Sequence, residues 1–207
     1  TTGGNNTAIG QNSLNANTTA SNNTAVGQSA LASNTTGENN VAVGNVALTN
    51  ATTASDNTGC GSGSLNATTT GASNAALGKS ALLLNTTGAF NTACGKDALR
   101  ANSTASNNTA VGHDALTSNT TGTQNVAVGS SALDANTTAS FNTAIGHEAM
   151  GATNTGSGNV AVGSYAMEAN TTGESNVAVG VNALEDNTTA SNNTAIGRSA
   201  LRVNTTG

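Results

Sequence analysis

The chain has few of the residues that build a globular core or a nucleic-acid-binding surface. Among its 207 residues only Phe90, Phe141 and Tyr165 are aromatic, and proline and tryptophan are absent. Five basic residues cannot neutralise a nucleic-acid backbone, and three aromatic rings leave little for base stacking. No apolar run approaches the roughly 20 residues that span a bilayer. We therefore expect neither an ordinary globule, nor a nucleic-acid partner, nor membrane insertion of this segment.

What the chain has instead is a repeat of 17 residues without insertion or deletion. Twelve variants of the phrase Asn-Thr/Val-Ala-Val/Ile-Gly follow one another from Asn6 to the copy that starts at Asn193. We number the repeat from this asparagine as position 1. A fixed short period is typical of a solenoid or repetitive fibre, in which each unit packs on its neighbours. The pattern predicts an all-β parallel β-roll or β-solenoid of about twelve coils, a single uncapped region over 1–207 that is an excerpt of a longer fibre.

Two of the positions that never vary are predicted to form the corner of the repeat. Position 1 is asparagine and position 5 is glycine in all twelve copies. Glycine suits a corner that needs positive φ or close contact, and stacked asparagines can satisfy backbone groups as well as their own amides. The predicted corner residues include Asn6, Gly10, Asn23, Gly27, Asn40, Gly44, Asn108 and Gly112.

Apolar residues recur at positions 4 and 9 and are predicted to form the core. Position 4 is aliphatic or cysteine in a short strand, and position 9 is leucine or methionine in a second short strand. The predicted core ladder includes Ile9, Val26, Val43, Cys60, Leu77, Cys94, Leu14 and Leu31. The two cysteines lie two coils apart, about 9.5 Å, which exceeds the limit of about 7 Å for a disulfide. We expect buried free thiols, and alanine at position 3 indicates close approach of another backbone layer.

Positions 12 to 15 read Asn-Thr-Thr-Gly/Ala, which is turn chemistry. The same residues make sequons for N-glycosylation, so glycans are an alternative reading of the motif. The candidate acceptors are Asn17, Asn34, Asn85, Asn119, Asn136, Asn170, Asn187 and Asn204.

Charged residues collect at positions 6, 7, 10 and 11, which predicts that these positions face water. All five basic residues, both histidines and seven of the ten acidic residues lie there. The pairs His113-Asp114 and His147-Glu148 could serve a metal or a base, but no third ligand converges on either. We expect no metal site, no cofactor and no catalytic residues, because a convex rod offers no enclosed pocket.

The segment Asn23–Leu31, Asn-Thr-Ala-Val-Gly-Gln-Ser-Ala-Leu, resembles the head repeat of YadA-like trimeric autotransporter adhesins. All twelve copies share the likeness, although the family coil is shorter and lacks the segment at positions 12 to 15. The resemblance implies a left-handed parallel β-roll, three chains around a common axis, and attachment at a bacterial surface. Similar repeats also occur in phage tail-fibre shafts.

Sequence and resemblance together predict a non-catalytic structural or adhesive rod of an extracellular, cell-surface fibre. Its partners would be further copies of itself, as a homotrimer or filament, and a host, matrix or cell-surface ligand. Two alternatives stay open: a phage tail-fibre shaft on a virion, and a monomeric solenoid that binds carbohydrate or ice. The Thr-Thr dipeptide argues against ice, because adjacent side chains of an extended segment point to opposite faces.

Overall fold

A computed structural model describes residues 2–204 and shows a β-solenoid of 17 residues per turn. Its twelve strands pair in parallel and in sequence order within one sheet. The strands are Thr7–Ile9 (β1), Thr24–Val26 (β2), Val41–Val43 (β3), Thr58–Cys60 (β4), Ala75–Leu77 (β5), Thr92–Cys94 (β6), Thr109–Val111 (β7), Val126–Val128 (β8), Thr143–Ile145 (β9), Val160–Val162 (β10), Val177–Val179 (β11) and Thr194–Ile196 (β12). The predicted fold class and period are confirmed.

Each residue pairs with the residue 17 positions later, so the repeat fixes the register. Thr109 lies opposite Val126 and Val111 opposite Val128, and the other strand pairs follow the same rule. Backbone hydrogen bonds continue outside the strands, for example from Leu116 N–H to the Ala132 carbonyl at 3.0 Å. Identical side chains therefore stack in ladders along the rod.

The core is narrow and consists of small residues facing leucine. Alanine at position 3 and leucine or methionine at position 9 are almost all fully buried, as Ala110 and Leu116 are. Alanine at position 8 and asparagine at positions 1 and 12 complete the interior. Because the strand at positions 2 to 4 lies so close to the opposite wall, only a methyl group fits between them.

The structure places the glycines of the predicted corner in positive-φ backbone. Gly10, Gly27, Gly44 and Gly112 have φ between 128° and 140°. A Cβ on Gly112 would lie 2.4 Å from the Gly129 carbonyl oxygen of the next coil. Glycine is required here both by the backbone conformation and by the closeness of adjacent coils.

The predicted second strand is wrong. Positions 6 to 11 form consecutive turns, with hydrogen bonds such as Asn119 N–H to the Leu116 carbonyl at 3.2 Å. Position 9 adopts left-handed backbone, for example Leu116 at φ 52° and Leu133 at φ 52°. Left-handed leucine is unfavourable in isolation, and full burial of its side chain offsets that cost.

The position-4 part of the predicted core ladder, six of its eight named residues, is also wrong. Leu14 and Leu31 are buried, but Ile9, Cys60, Leu77 and Cys94 are exposed, and Val26 and Val43 are half-exposed. Side chains alternate along a strand, so buried Asn and Ala at positions 1 and 3 place positions 2 and 4 outside. Packing in the core of a single chain therefore does not explain why position 4 is apolar.

Candidate functional site

The side chains at positions 2 and 4 form an uncharged, largely apolar surface along the sheet, which we call the strand face. None of the 24 residues at these positions is charged. All but one of the position-2 residues are Thr or Val, and position 4 is Val, Ile, Leu or Cys. Leu77 is 46% exposed and Ile145 is 40% exposed in the single chain. Both cysteines are free and lie on this face, so the prediction of buried thiols is wrong.

The asparagines at position 1 hold the corner together across coils. The Oδ1 atom of Asn108 accepts the backbone N–H of Asn125 at 2.9 Å, and its Nδ2 donates to the Gly122 carbonyl at 2.8 Å. The Asn108 N–H donates in turn to Asn91 Oδ1 at 3.0 Å. Each amide thus satisfies the backbone of its own coil and of the next. This ladder explains why position 1 never varies, as the sequence predicted.

A second, buried asparagine ladder lies at position 12. Asn119 Nδ2 donates to Asn102 Oδ1 of the preceding coil at 3.0 Å and to the Gly122 carbonyl at 3.0 Å. The candidate glycan acceptors Asn34, Asn85, Asn119, Asn136, Asn170 and Asn187 are all fully buried. Asn17 and Asn204 are half-buried, and the remainder of the last sequon lies outside the described residues. Since an attached glycan needs a solvent-facing Nδ2, the folded rod contradicts the glycosylation prediction at the six buried asparagines.

The position-12 ladder is interrupted where asparagine is replaced. Asn34 precedes Ala51 and Asn136 precedes Thr153, and the Oδ1 atoms of both asparagines are buried without a hydrogen-bond partner. The Thr153 hydroxyl is also buried without a partner. A buried acceptor with no donor costs about 1–3 kcal/mol. The interruptions are therefore weak points of the interior.

We expect Thr153→Asn to stabilise the rod. The new Nδ2 can donate to Asn136 Oδ1, as Asn136 Nδ2 donates to Asn119 Oδ1 at 2.8 Å. Satisfying that acceptor should raise the free energy of unfolding by about 1–2 kcal/mol, measured by urea or thermal denaturation. Thr117→Asn is the matched control, because Asn66 occupies the same position 10 three coils earlier and shows that asparagine is accepted there. Equal stability of T153N and T117N would contradict the ladder argument.

The turns at positions 6, 7, 10 and 11 carry most of the charged side chains. A basic cluster and an acidic cluster lie in different coils along the rod. Lys79, Lys96 and Arg100 border a shallow depression of about 420 Å³. Asp97 lies among them, 2.6 Å from Lys96 Nζ and 3.7 Å from Arg100 Nε. The hydrogen bond from Lys96 to Asp97 raises the pKa of the lysine. This surface faces water, as predicted.

An acidic stretch follows the basic one. Asp134, Glu148 and Glu168 line a second depression, of about 340 Å³. Burial raises the pKa of the Asp134 carboxyl, and the nearby Glu148 adds to the effect. Burial and the neighbouring carboxylates likewise raise the pKa of Glu168. In residues 2–204, no group of three or more His, Cys, Asp or Glu side chains could hold a metal ion.

The two histidine–carboxylate pairs are surface contacts. His113 Nδ1 lies 3.0 Å from Asp114 Oδ2, and His147 Nε2 lies 3.6 Å from Glu148 Oε1. The His147 ring also packs edge-on against Tyr165, with centroids 5.3 Å apart. Both histidines are about half-exposed. The geometry supports surface packing.

Sequence reasoning missed two features that bear on function: the strand face and the burial of position 12. The signal for the strand face was the nearly unvarying alanine at position 3: if it is buried, the residues on either side of it point outward. Comparisons with protein-family models, curated proteins and solved structures found no match. Over residues 2–204 no helix has the length and apolar character needed to cross a membrane. Function must therefore be argued from the faces of the rod.

Proposed function

We propose that this chain is a non-catalytic rod of an extracellular surface fibre, which mediates or spaces attachment and associates with copies of itself through the strand face. The observation behind the proposal is that face, which is uncharged and at least half-exposed over every described coil. At about 4.8 Å per coil and about 10 Å across three strand residues, it covers about 570 Å². Monomers rarely leave a larger contiguous apolar patch exposed.

The composition of the strand face favours another copy as its partner. Valine, isoleucine and threonine on a flat pleated surface pack well against a similar surface. Two or more copies in the same register would bury ladder against ladder, and the buried apolar residues of position 4 would then add to the small core of each chain. The charged side chains lie outside the strand face, where they do not oppose its burial against a second copy. A trimer around a common axis, as the resemblance implies, is one arrangement that buries this face.

The proposal predicts that charge on the strand face separates the chains. In Val128→Lys/Ile145→Lys, two adjacent coils place ammonium groups on the face, whose burial costs several kcal/mol per ion. We expect the parent protein to sediment as an oligomer and the variant to sediment as a folded monomer, with association weakened by at least about tenfold. Analytical ultracentrifugation gives the mass, and circular dichroism reports the fold.

Ser130→Lys/His147→Lys is the matched control, because it adds lysines to position 6 of the same two coils. It should leave the oligomer intact. A parent protein that sediments as a folded monomer at micromolar concentration would overturn the proposed self-association, and dissociation of the control as well would show that added charge acts without regard to face.

A further inference from the structure

Three positions of the repeat never vary, and the fold explains only two of them. Asparagine at position 1 forms the corner ladder and glycine at position 5 makes the tight contact between coils. Position 14 is threonine in every copy, with Thr2 as an additional one. From Thr2 to Thr189, all twelve described threonines at this position are exposed. We call them the threonine rank.

The threonine rank has no evident structural duty. At position 13 the hydroxyls bridge coils, as Thr120 Oγ1 donates to the Thr137 carbonyl at 3.0 Å, yet serine and asparagine also occur there. At position 14, by contrast, the hydroxyls of Thr36 through Thr189 make no hydrogen bond within residues 2–204. A position whose side chain is exposed and makes no hydrogen bond within the described residues is thus one of the most constant. That constancy points to something outside the chain.

Backbone contacts fix the geometry of the rank. Thr120 N–H and Thr121 N–H both donate to the Thr137 carbonyl of the next coil, at 2.9 and 3.2 Å. The same pattern sets adjacent threonines about 4.8 Å apart, the spacing of paired strands. Position 15, between the rank and position 16, is a buried Gly or Ala such as Gly122, so positions 14 and 16 lie on the same side of the chain, position 14 exposed and position 16 half-buried from Ser55 to Ser157.

A second row of small side chains lies beside the rank. We count coils from the one that begins at Asn6. From coil 3 to coil 9, position 16 is Ser55, Ala72, Ala89, Ser106, Thr123, Ser140 and Ser157. Ser140 Oγ accepts the Thr123 N–H at 3.0 Å, which ties this row together across coils as well. Positions 13 to 16 of these seven coils contain no charged residue. The result is a rigid, uncharged strip of methyl and hydroxyl groups about 34 Å long.

We infer that this strip binds the surface of an ice crystal. A ligand that uses many equivalent sites must itself repeat with nearly the same spacing, and one axis of hexagonal ice repeats within a few tenths of an ångström of the coil rise. Threonine offers a hydroxyl that anchors water and a methyl that favours ordered water around it. Aromatic and charged groups, which would favour a sugar chain or an ionic partner, are missing from positions 13 to 16 of coils 3 to 9.

The expectation drawn from the Thr-Thr dipeptide does not apply to this strip. The paired threonines do diverge, since position 13 is mostly half-buried and position 14 exposed. The second row is instead supplied by position 16, two residues further along. Ice binding also does not depend on the proposed self-association, because the threonine rank lies outside the strand face.

The test is incorporation of the purified chain into a slowly growing ice ball, together with inhibition of ice recrystallisation. We expect the parent chain to enter the ice, and Thr121→Lys/Thr138→Lys to lower incorporation about tenfold, equivalent to about 1.4 kcal/mol of lost binding. Thr121→Ser/Thr138→Ser keeps the hydroxyls and should fall between the two. His113→Lys/Ser130→Lys adds the same charge to position 6 of the same coils and should bind as the parent does.

Exclusion of the folded parent chain from ice would overturn the inference. Equal losses in the T121K/T138K and H113K/S130K variants would do so as well, since they would show an effect of net charge. Sedimentation of the same samples tells failure of ice binding apart from failure of self-association, and the thermal unfolding midpoint identifies any variant that has not folded.

Discussion

Asn108→Asp should destabilise the rod at neutral pH by about 3–5 kcal/mol, the range for a buried charge left without a partner. Asn108 is fully buried, and its Nδ2 lies 2.8 Å from the Gly122 carbonyl oxygen. A carboxylate oxygen in that place would face the carbonyl oxygen with no proton between them. Oδ1 can still accept the Asn125 N–H, so one of the two contacts survives.

The loss should depend on pH with a definite sign. Burial beside a carbonyl raises the pKa of the new carboxyl in the folded state above the unfolded value of about 3.9. Above that value the folded state binds more protons than the unfolded state, so stability falls as pH rises. At pH below the unfolded pKa the neutral acid can donate to the Gly122 carbonyl, and most of the stability should return. Urea denaturation of the variant and parent across this range measures the difference.

Asn107→Asp is the matched control for this experiment. Asn107 is the adjacent residue, but it is exposed at position 17, where Asp56 occurs naturally. Its backbone is left-handed, at φ 63°, and Asp56 adopts the same conformation at φ 60°. N107D should therefore stay within about 0.5 kcal/mol of the parent at neutral pH. If N108D were equally harmless, the corner ladder would not be what holds adjacent coils together.

The period and the unvarying positions 1 and 5 were enough to predict the solenoid, its register and its corner. A one-residue shift along a strand moves a side chain to the opposite face, and the fixed 17-residue spacing excludes such a shift between coils. Asn108 and Gly112 could be assigned because each has a narrow set of physical reasons to be constant. The water-facing turns could be predicted as well, since Lys96 and its equivalents cannot be buried without partners.

The strand face could not be assigned correctly because hydrophobicity was equated with burial. Val111 is more apolar than Ala110, yet Ala110 is fully buried and Val111 is 37% exposed. The narrow interior selects for size, and an alanine-lined wall leaves the larger residues outside. The asparagines of the sequons were assigned to surface turns but lie in the interior. Asn119 has the sequence context of a turn residue and is fully buried. Both errors concern which way a side chain points, which a repeat pattern alone does not give.

Gly112→Ala should be among the most damaging single changes in the chain, at about 4 kcal/mol or more. The added Cβ would lie 2.4 Å from the Gly129 carbonyl oxygen and 2.6 Å from its carbon. Neither coil can move easily, because both corners are held by backbone hydrogen bonds. Gly112 N–H donates to the Cys94 carbonyl and Gly129 N–H to the Val111 carbonyl, each at 2.8 Å. The φ of 140° is itself unfavourable for a residue with a Cβ.

The damage should be localised, because each coil contacts only its neighbours. Amide hydrogen exchange should quicken in the coils that contain Gly112 and Gly129, and the unfolding midpoint should fall. Gly151→Ala is the control: a Cβ there meets nothing closer than the Glu148 carbonyl oxygen at 3.5 Å. That variant should match the parent or gain up to about 1 kcal/mol from a less flexible unfolded chain. If G112A tolerated urea as well as G151A does, adjacent coils would be free to separate at the corner, and the rod would be far less rigid than its contacts require.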